Sequence, residues 1–105
     1  MFISAIEFMI APAQKTVVQG RKARFVCQHS TADAIGWRLN GTTFLDRSLE
    51  GVSASSASLA GGVLNTLTIV AHPEYNQTRI ECVATFFDGS PIEVTDTVML
   101  TIQGL

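Results

Sequence analysis

The chain has 105 residues, of which 47% are hydrophobic and 15% are charged, and its net charge is −2. This length suits one domain with a modest core, and the composition excludes a disordered chain. Because the charge is small and there is no basic cluster, nucleic acid and anionic membranes are poor candidates as partners.

The first ten residues, MFISAIEFMI, are apolar but interrupted by Glu7. They lack the basic start and the cleavage site of a signal peptide, and they are too short to cross a bilayer. We interpret them as a first strand behind a start methionine. Residues 1–105 then form a single domain excised from a longer protein, with any secretion signal or membrane anchor outside it.

Short segments of alternating apolar and polar residues recur along the chain, separated by turn signals such as QG, NG, GG and DGSP. No segment of ten or more residues has a helical period. Turn signals at this spacing predict an all-β sandwich or barrel. The predicted strands are 3–10, 16–19, 22–29, 34–40, 42–46, 52–58, 63–70, 78–87 and 92–103.

The two cysteines are Cys27 and Cys82. They form no C-x-x-C motif, and His29 and His72 stand at no recognised metal-ligand spacing, so we predict no metal site. Two buried free thiols and a disulfide are both compatible with these positions, and the strand pattern favours the disulfide. Such a bond would stabilise the domain by roughly 4 kcal/mol and implies an oxidising, extracellular setting.

Strand parity sorts the side chains into two faces, with Cys27 and Cys82 pointing inward. Val83, Thr85 and Phe87 then point outward. The inward set that we predict is Ala23, Phe25, Cys27, His29, Ile35, Trp37, Leu39, Leu67, Ile69, Ile80, Cys82, Ala84, Phe86, Val98, Leu100 and Ile102.

Five segments, GRKARFVC, IGWRLNG, NTLTIVA, TRIECVA and VMLTIQG, follow one another in order between residues 20 and 104. Together they resemble a domain of the immunoglobulin superfamily. The resemblance implies a two-sheet antiparallel sandwich with Cys27 and Cys82 bridging the sheets and Trp37 packed against the bridge. The break at Pro12 resembles the point at which the first strand of this family switches between sheets.

The cysteine interval suits a variable or intermediate type of domain. Ile80 stands where the family usually has a tyrosine, and Asn76 stands where it usually has an aspartate, so we expect Tyr75 to supply a substitute for the tyrosine-corner hydrogen bond. The last strand lacks an F-G-x-G bulge. This absence argues against a rearranging antigen receptor. The looser pattern, which includes EYN-x-T and CVA, resembles domains of invertebrate and early-chordate recognition receptors and of junctional adhesion proteins.

In such domains the outer face of the sheet that contains Trp37 and Cys82 commonly meets partners. The loop DGSP at 88–91 is short, which favours binding through this face over binding through loops. We therefore expect a cell-surface module, immune-type or adhesive, that binds a protein partner or forms a homodimer and makes no direct membrane contact. The alternatives are a structural spacer domain and a secreted immune effector. The predicted protein-binding residues are Arg38, Phe44 (or its neighbour Leu45), Val83, Thr85, Phe87 and Glu93.

Two N-x-[ST] sequons, at Asn40 and Asn76, fall in predicted turns and are candidate glycosylation sites in an extracellular protein. The NG pair at Asn40 also serves as a turn signal in its own right. The sequence contains no G-x-S-x-G, H-E-x-x-H or Gly-rich phosphate loop. We therefore predict no catalytic residues and no cofactor.

Overall fold

The computed structural model describes residues 15–45, 49–59, 62–87 and 93–104; for residues 59, 93 and 94 it describes the backbone only. Almost all of this part of the chain is extended. A 3₁₀ turn at Pro73–Tyr75 precedes the seventh strand. The strands are β1 Lys15–Val18, β2 Lys22–His29, β3 Ala34–Leu39, β4 Thr42–Thr43, β5 Val52–Leu59, β6 Gly62–Val70, β7 Thr78–Thr85 and β8 Glu93–Gln103.

The strands form two sheets. The five-stranded sheet has the order β1-β8-β7-β3-β4, and the three-stranded sheet has the order β2-β6-β5. The disulfide between Cys27 on β2 and Cys82 on β7 joins them. The predicted all-β sandwich with one inter-sheet disulfide is therefore confirmed. One pair departs from the antiparallel pattern, since β1 runs parallel to β8, and the predicted strand 3–10 lies outside the described residues.

Two strands are shorter than their sequence pattern predicts. β7 ends at Thr85 and not at residue 87, because the N–H of Phe87 donates to Asp33 Oδ2 and does not extend the ladder with β8. β4 holds only two residues. The hairpin between β3 and β4 is closed by Asn40 and Gly41, both at positive φ (52° and 84°), as a type I′ turn requires.

The core lies between the sheets, around the disulfide. Trp37 is directly opposite Cys82 in the β3–β7 ladder, and it is only 2% exposed. Phe86 is half-buried at the rim of the core, where its ring meets His29 edge-on with centroids 5.0 Å apart. Val98 is also half-buried against the core. The other members of the predicted inward set are all buried: Ala23, Phe25, Cys27, His29, Ile35, Leu39, Leu67, Ile69, Ile80, Cys82, Ala84, Leu100 and Ile102.

Within the described ranges, no helix has the length and apolar character needed to cross a membrane.

Candidate functional site

The surface on which the predicted binding residues converge is formed where β3, β7 and β8 lie side by side. Gly36 is opposite Val83, and Val83 is opposite Thr95. We use the name outer face for the solvent side of these strands and of β4, which comprises Gly36, Arg38, Thr43, Glu81, Val83, Thr85, Thr95 and Thr97.

Phe87 stands at one end of the outer face, directly after β7. Its side chain is 76% exposed, more than any other large hydrophobic side chain in the described part of the chain. Its backbone is nevertheless fixed, because its N–H donates to Asp33 Oδ2 at 2.7 Å. The N–H of Asp33 in turn donates to the Thr85 carbonyl at 2.9 Å. Asp33 thus holds the end of β7 in place and positions Phe87 in solvent.

The middle of the outer face contains a shallow depression at Gly36. Its volume is about 210 Å³, and it is lined by Gly36, Trp37, Arg38, Thr43, Val83 and Thr85. A Cβ atom at Gly36 would meet nothing within 4 Å, and φ there is outside the left-handed region. The fold itself therefore does not require glycine at this position. Glycine inside a strand often marks a place that another molecule approaches closely.

Arg38 and Glu81 form an ion pair across β3 and β7, with 3.6 Å between Nη1 and Oε2. The two side chains are 30% and 22% exposed. Pairs with this exposure contribute little to stability. Their effect on the outer face is instead to set both charges side by side, where a partner meets them together.

Two of the predicted binding residues are corrected by the structure. Val83 points to the outer face, as predicted, but it is only 8% exposed. β7 lies inside the sheet, with β3 and β8 on either side, so this short side chain offers little area to a partner.

Phe44 packs against the core, which contradicts the outward direction on which its prediction as a binding residue depends. Its N–H donates to the Trp37 carbonyl at 2.9 Å, which places it opposite an inward residue and turns its ring inward. The neighbouring Leu45 is the exposed one, at 66%.

Two other predicted binding residues, Thr85 and Glu93, lie where β7 ends and β8 begins. Thr85 is half-buried on the outer face, and Glu93 is paired with it in the β7–β8 ladder. That register is continuous from Glu93 to Leu100. The side chain of Glu93 and the loop at 88–91 lie outside the described residues.

Both sequon asparagines are exposed and use one side of the amide to hold the fold. Asn40 Oδ1 accepts from the N–H of Arg79 at 2.9 Å, and Asn76 Oδ1 accepts from the N–H of Ile102 at 2.8 Å. Because the partners are N–H donors, these atoms must be the oxygens. The nitrogen of each amide, to which a glycan would be attached, therefore takes no part in this hydrogen bond.

Tyr75, like the corner tyrosine of the family, donates its hydroxyl to a backbone carbonyl, but the acceptor lies 25 residues away in the chain. Its hydroxyl donates to the Glu50 carbonyl at 2.6 Å, which ties the turn before β7 to the turn before β5. Partial burial raises the pKa of Tyr75 above its usual 10.0, and the nearby carboxylates of Glu74 and Glu50 raise it further.

Sequence reasoning missed two residues that organise the domain, Asp33 and Asn65. Asn65 is 6% exposed and joins the sheets through Trp37, whose Nε1 donates to Asn65 Oδ1 at 2.9 Å. Neither residue stands out in the sequence, because a polar residue between strands or within one is ordinarily read as solvent-exposed. Among the described residues, no group of three His, Cys, Asp or Glu side chains could hold a metal ion.

No family model and no curated protein matches the sequence, but solved structures match the fold. The Ig1-2 module of the Drosophila receptor protein tyrosine phosphatase DLAR has 24% identity and a TM-score of 0.73 over 94% of this chain, which spans 49% of that one.

Two other matches come from different proteins. The eight N-terminal Ig domains of Down syndrome cell adhesion molecule give 18% identity and a TM-score of 0.75, covering 93% of this chain and 12% of that one. The titin M10–obscurin like 1 complex gives 19% and 0.72, covering 93% of both. Identities this low carry the fold and not the function. Together with the two sheets and the disulfide between them, these matches show that the chain has an immunoglobulin-like fold.

Proposed function

We propose that this domain is an extracellular protein-recognition module of a cell-surface receptor, immune-type or adhesive, and that it binds a second copy of itself through the outer face. The observation that carries the proposal is Phe87. An aromatic side chain that is 76% exposed on a backbone fixed by a 2.7 Å hydrogen bond loses little freedom on binding. Aromatic residues of this kind supply much of the energy of protein interfaces.

The outer face supports self-recognition because it carries both an apolar projection and a depression. Phe87 is at most about 13 Å along the chain from Val83, which lines the depression. A two-fold axis that lies between two facing sheets, perpendicular to the strands, would set each Phe87 over the depression of the other copy. The same arrangement brings the Arg38–Glu81 pairs of both copies into one interface.

The disulfide supports an extracellular location, since such bonds persist in oxidising compartments. DLAR and the Down syndrome molecule are, by their names, a receptor and a cell adhesion molecule, whereas titin domains share the same fold. We assign residues 1–105 to one immunoglobulin-like domain of variable or intermediate type, and the strand count favours the intermediate type. Between β3 and β5 the described ranges 15–45 and 49–59 contain only the two-residue β4, while variable-type domains have additional strands there.

The sequons support the same choice of surface. β7 begins beside Asn40 and Asn76 and ends just before Phe87, so its two ends are about 24 Å apart. Glycans on Asn40 and Asn76 would therefore leave the Phe87 end open. Glycopeptide mapping of protein secreted from eukaryotic cells should find sugar on both residues, and Thr42→Ala, which changes an exposed residue, should remove it from Asn40 alone.

The direct test is the substitution Phe87→Asp, followed by sedimentation velocity at micromolar protein concentrations, at which weak contacts do not form. We expect the unchanged protein to dimerise and Phe87→Asp to remain monomeric with the same thermal midpoint. Val18→Asp is the matched control, because Val18 is also an exposed apolar residue, at 39%, but lies beside Gln103, at the far end of β8 from Glu93 and Phe87. A Phe87→Asp protein that still dimerises like the control would contradict the proposal.

A second variant tests the depression separately. Gly36→Val would fill it. Because a Cβ atom at Gly36 meets nothing within 4 Å and a β-branched side chain suits a strand, we expect the fold to be at least as stable. We expect this variant to lose dimerisation. Retained dimerisation would remove Gly36 from the interface.

The spacer alternative makes a different prediction from the same experiments. A spacer has no binding surface of its own, so the unchanged protein would be monomeric at every concentration and neither substitution would alter any interaction. A monomer that instead captures a distinct ligand, and loses it on Phe87→Asp, would keep the outer face as the site and replace the second copy by that ligand.

A further inference from the structure

The edge of the three-stranded sheet offers a second surface that is independent of the outer face. β5 lies at this edge, after β6, and no strand in the described part of the chain flanks its other side. It is paired with β6 over eight residues without a bulge, from Val52 opposite Ile69 to Leu59 opposite Gly62. Residues 55–58 are exposed. An edge of this kind presents unpaired backbone groups to solvent.

The register identifies which backbone groups are unpaired. The N–H of Val70 donates to the Gly51 carbonyl at 2.8 Å. Gly51 and Val70, which precede the pair of Val52 and Ile69 in the ladder, are therefore a hydrogen-bonded pair. Because such pairs alternate in an antiparallel ladder, Ser53, Ser55 and Ala57 bond to β6. The N–H and C=O groups of Ala54, Ser56 and Ser58 therefore point away from β6, into solvent.

The other edge strands of the sandwich are protected, whereas β5 is not. β4 is only two residues long, β1 begins with Lys15, and β2 carries the exposed Lys22 and Arg24. Short length and charged residues are the devices by which natural sheets prevent edge pairing. β5 has the sequence VSASSASL, with no charge and no proline.

We propose that β5 pairs antiparallel with β5 of a second copy, joining the two three-stranded sheets into one continuous sheet. In the register centred on Ser56, this residue faces itself and Ala54 faces Ser58 of the other copy. Every outward N–H and C=O group of these residues is then matched, giving about six hydrogen bonds.

The chemistry of the hairpin argues for a second copy over a foreign strand. Residues 52–70 contain no Asp, Glu, Lys or Arg, so two copies meet without like-charge repulsion. The side chains along β5 from Ser53 to Ser58 are all Ser or Ala, which form no pocket for the side chains of another sequence. Such small side chains leave the backbone accessible but add little energy, so the contact is a weak one that high local concentration favours.

The test uses hydrogen exchange of the backbone amides in the Phe87→Asp background, in which any contact through the outer face is removed. We expect the amides of Ala54, Ser56 and Ser58 to slow by about tenfold or more as protein concentration rises into the millimolar range. The amides of Ser53, Ser55 and Ala57, which already bond to β6, should not change. Sedimentation should show a dimer and nothing larger, because the pairing uses up the edge.

Ser56→Pro is the variant that should abolish this dimer. It removes an outward N–H and leaves the bonds to β6 in place. Ser56→Ala is the matched control and should dimerise normally, since the contact is made by the backbone. Ser56→Lys, which sets two like charges opposite each other, should also be monomeric and serves if the proline variant does not fold. Concentration-independent exchange, dimerisation of Ser56→Lys, or growth beyond two copies would overturn the proposal.

Discussion

Trp37 Nε1 donates to Asn65 Oδ1 at 2.9 Å, and this hydrogen bond crosses from one sheet to the other. Asn65 is opposite Cys27 in the β2–β6 ladder, and Trp37 is opposite Cys82 in the β3–β7 ladder. Asn65 Nδ2 also donates to the Ile35 carbonyl at 2.7 Å. A single buried amide therefore joins the sheets beside the disulfide and satisfies two other buried polar groups.

Replacing this amide should weaken the domain considerably. Asn65→Ala leaves the indole N–H of Trp37 and the carbonyl of Ile35 without this partner in the core, so we expect a loss of about 2–4 kcal/mol in the free energy of unfolding. Urea denaturation, followed by the fluorescence of Trp37, the only tryptophan, measures it. Thr66→Ala, at the next and partly exposed position, should change stability by less than about 0.5 kcal/mol. Equal losses in both variants would contradict this role for Asn65.

The sequence predicted most strands because their alternation is uninterrupted and turn residues bound them, as in β2, whose limits match the prediction for 22–29. It could not predict where β7 ends. Phe86 and Phe87 have strand propensity, and only the contact with Asp33, far away in the chain, takes the Phe87 N–H out of the ladder. Such endings depend on tertiary contacts that local pattern does not contain.

The candidate site was only partly predictable for the same reason. Parity gave the outward direction of Phe87, but the inward turn of Phe44 depends on its position opposite Trp37. The low exposure of Val83 depends on the strands at its two sides. The depression at Gly36 arises from an absent side chain, and glycine in a strand pattern does not reveal whether it serves a bulge, a bend or a contact.

Gly62 should tolerate no side chain. Its φ is 115°, and a Cβ atom there would collide with the His29 carbonyl oxygen and lie 2.6 Å from Ser30 Cα. Both neighbours are backbone, so Gly62→Ala should cost about 2–4 kcal/mol through strain and displacement of the end of β2. Gly36→Ala is the control, because its Cβ would meet nothing and should leave the thermal midpoint unchanged or slightly raised. A Gly62→Ala protein that melts with the control would refute the expectation.

Gln77 offers the opposite change, a gain in stability. It has φ of 65° and follows Asn76 at φ −62° and ψ 138°, so it occupies the third position of a type II turn, where glycine is preferred. Gln77→Gly should relieve about 1–2 kcal/mol of strain. Because glycine also raises the conformational entropy of the unfolded chain, part of this gain is offset. We expect a net gain of about 0.5–1 kcal/mol by chemical denaturation, and none for Gln77→Ala, which keeps the strain. The N-x-T sequon of Asn76 is retained in both variants.

Tyr75 should make stability fall at alkaline pH. Its pKa in the folded state is raised by partial burial and by Glu74 and Glu50, so the folded state holds the proton more tightly than the unfolded chain. The contribution is therefore fully present below the unfolded pKa of about 10 and is lost as pH rises through the folded pKa, because the phenolate no longer donates to the Glu50 carbonyl. Tyr75→Phe should be about 1 kcal/mol less stable than the unchanged protein at pH 7, and this difference should shrink steadily above pH 10. Thermal unfolding of both proteins from pH 7 to 11 measures it, and a constant difference over that range would show that the hydroxyl makes no pH-linked contribution.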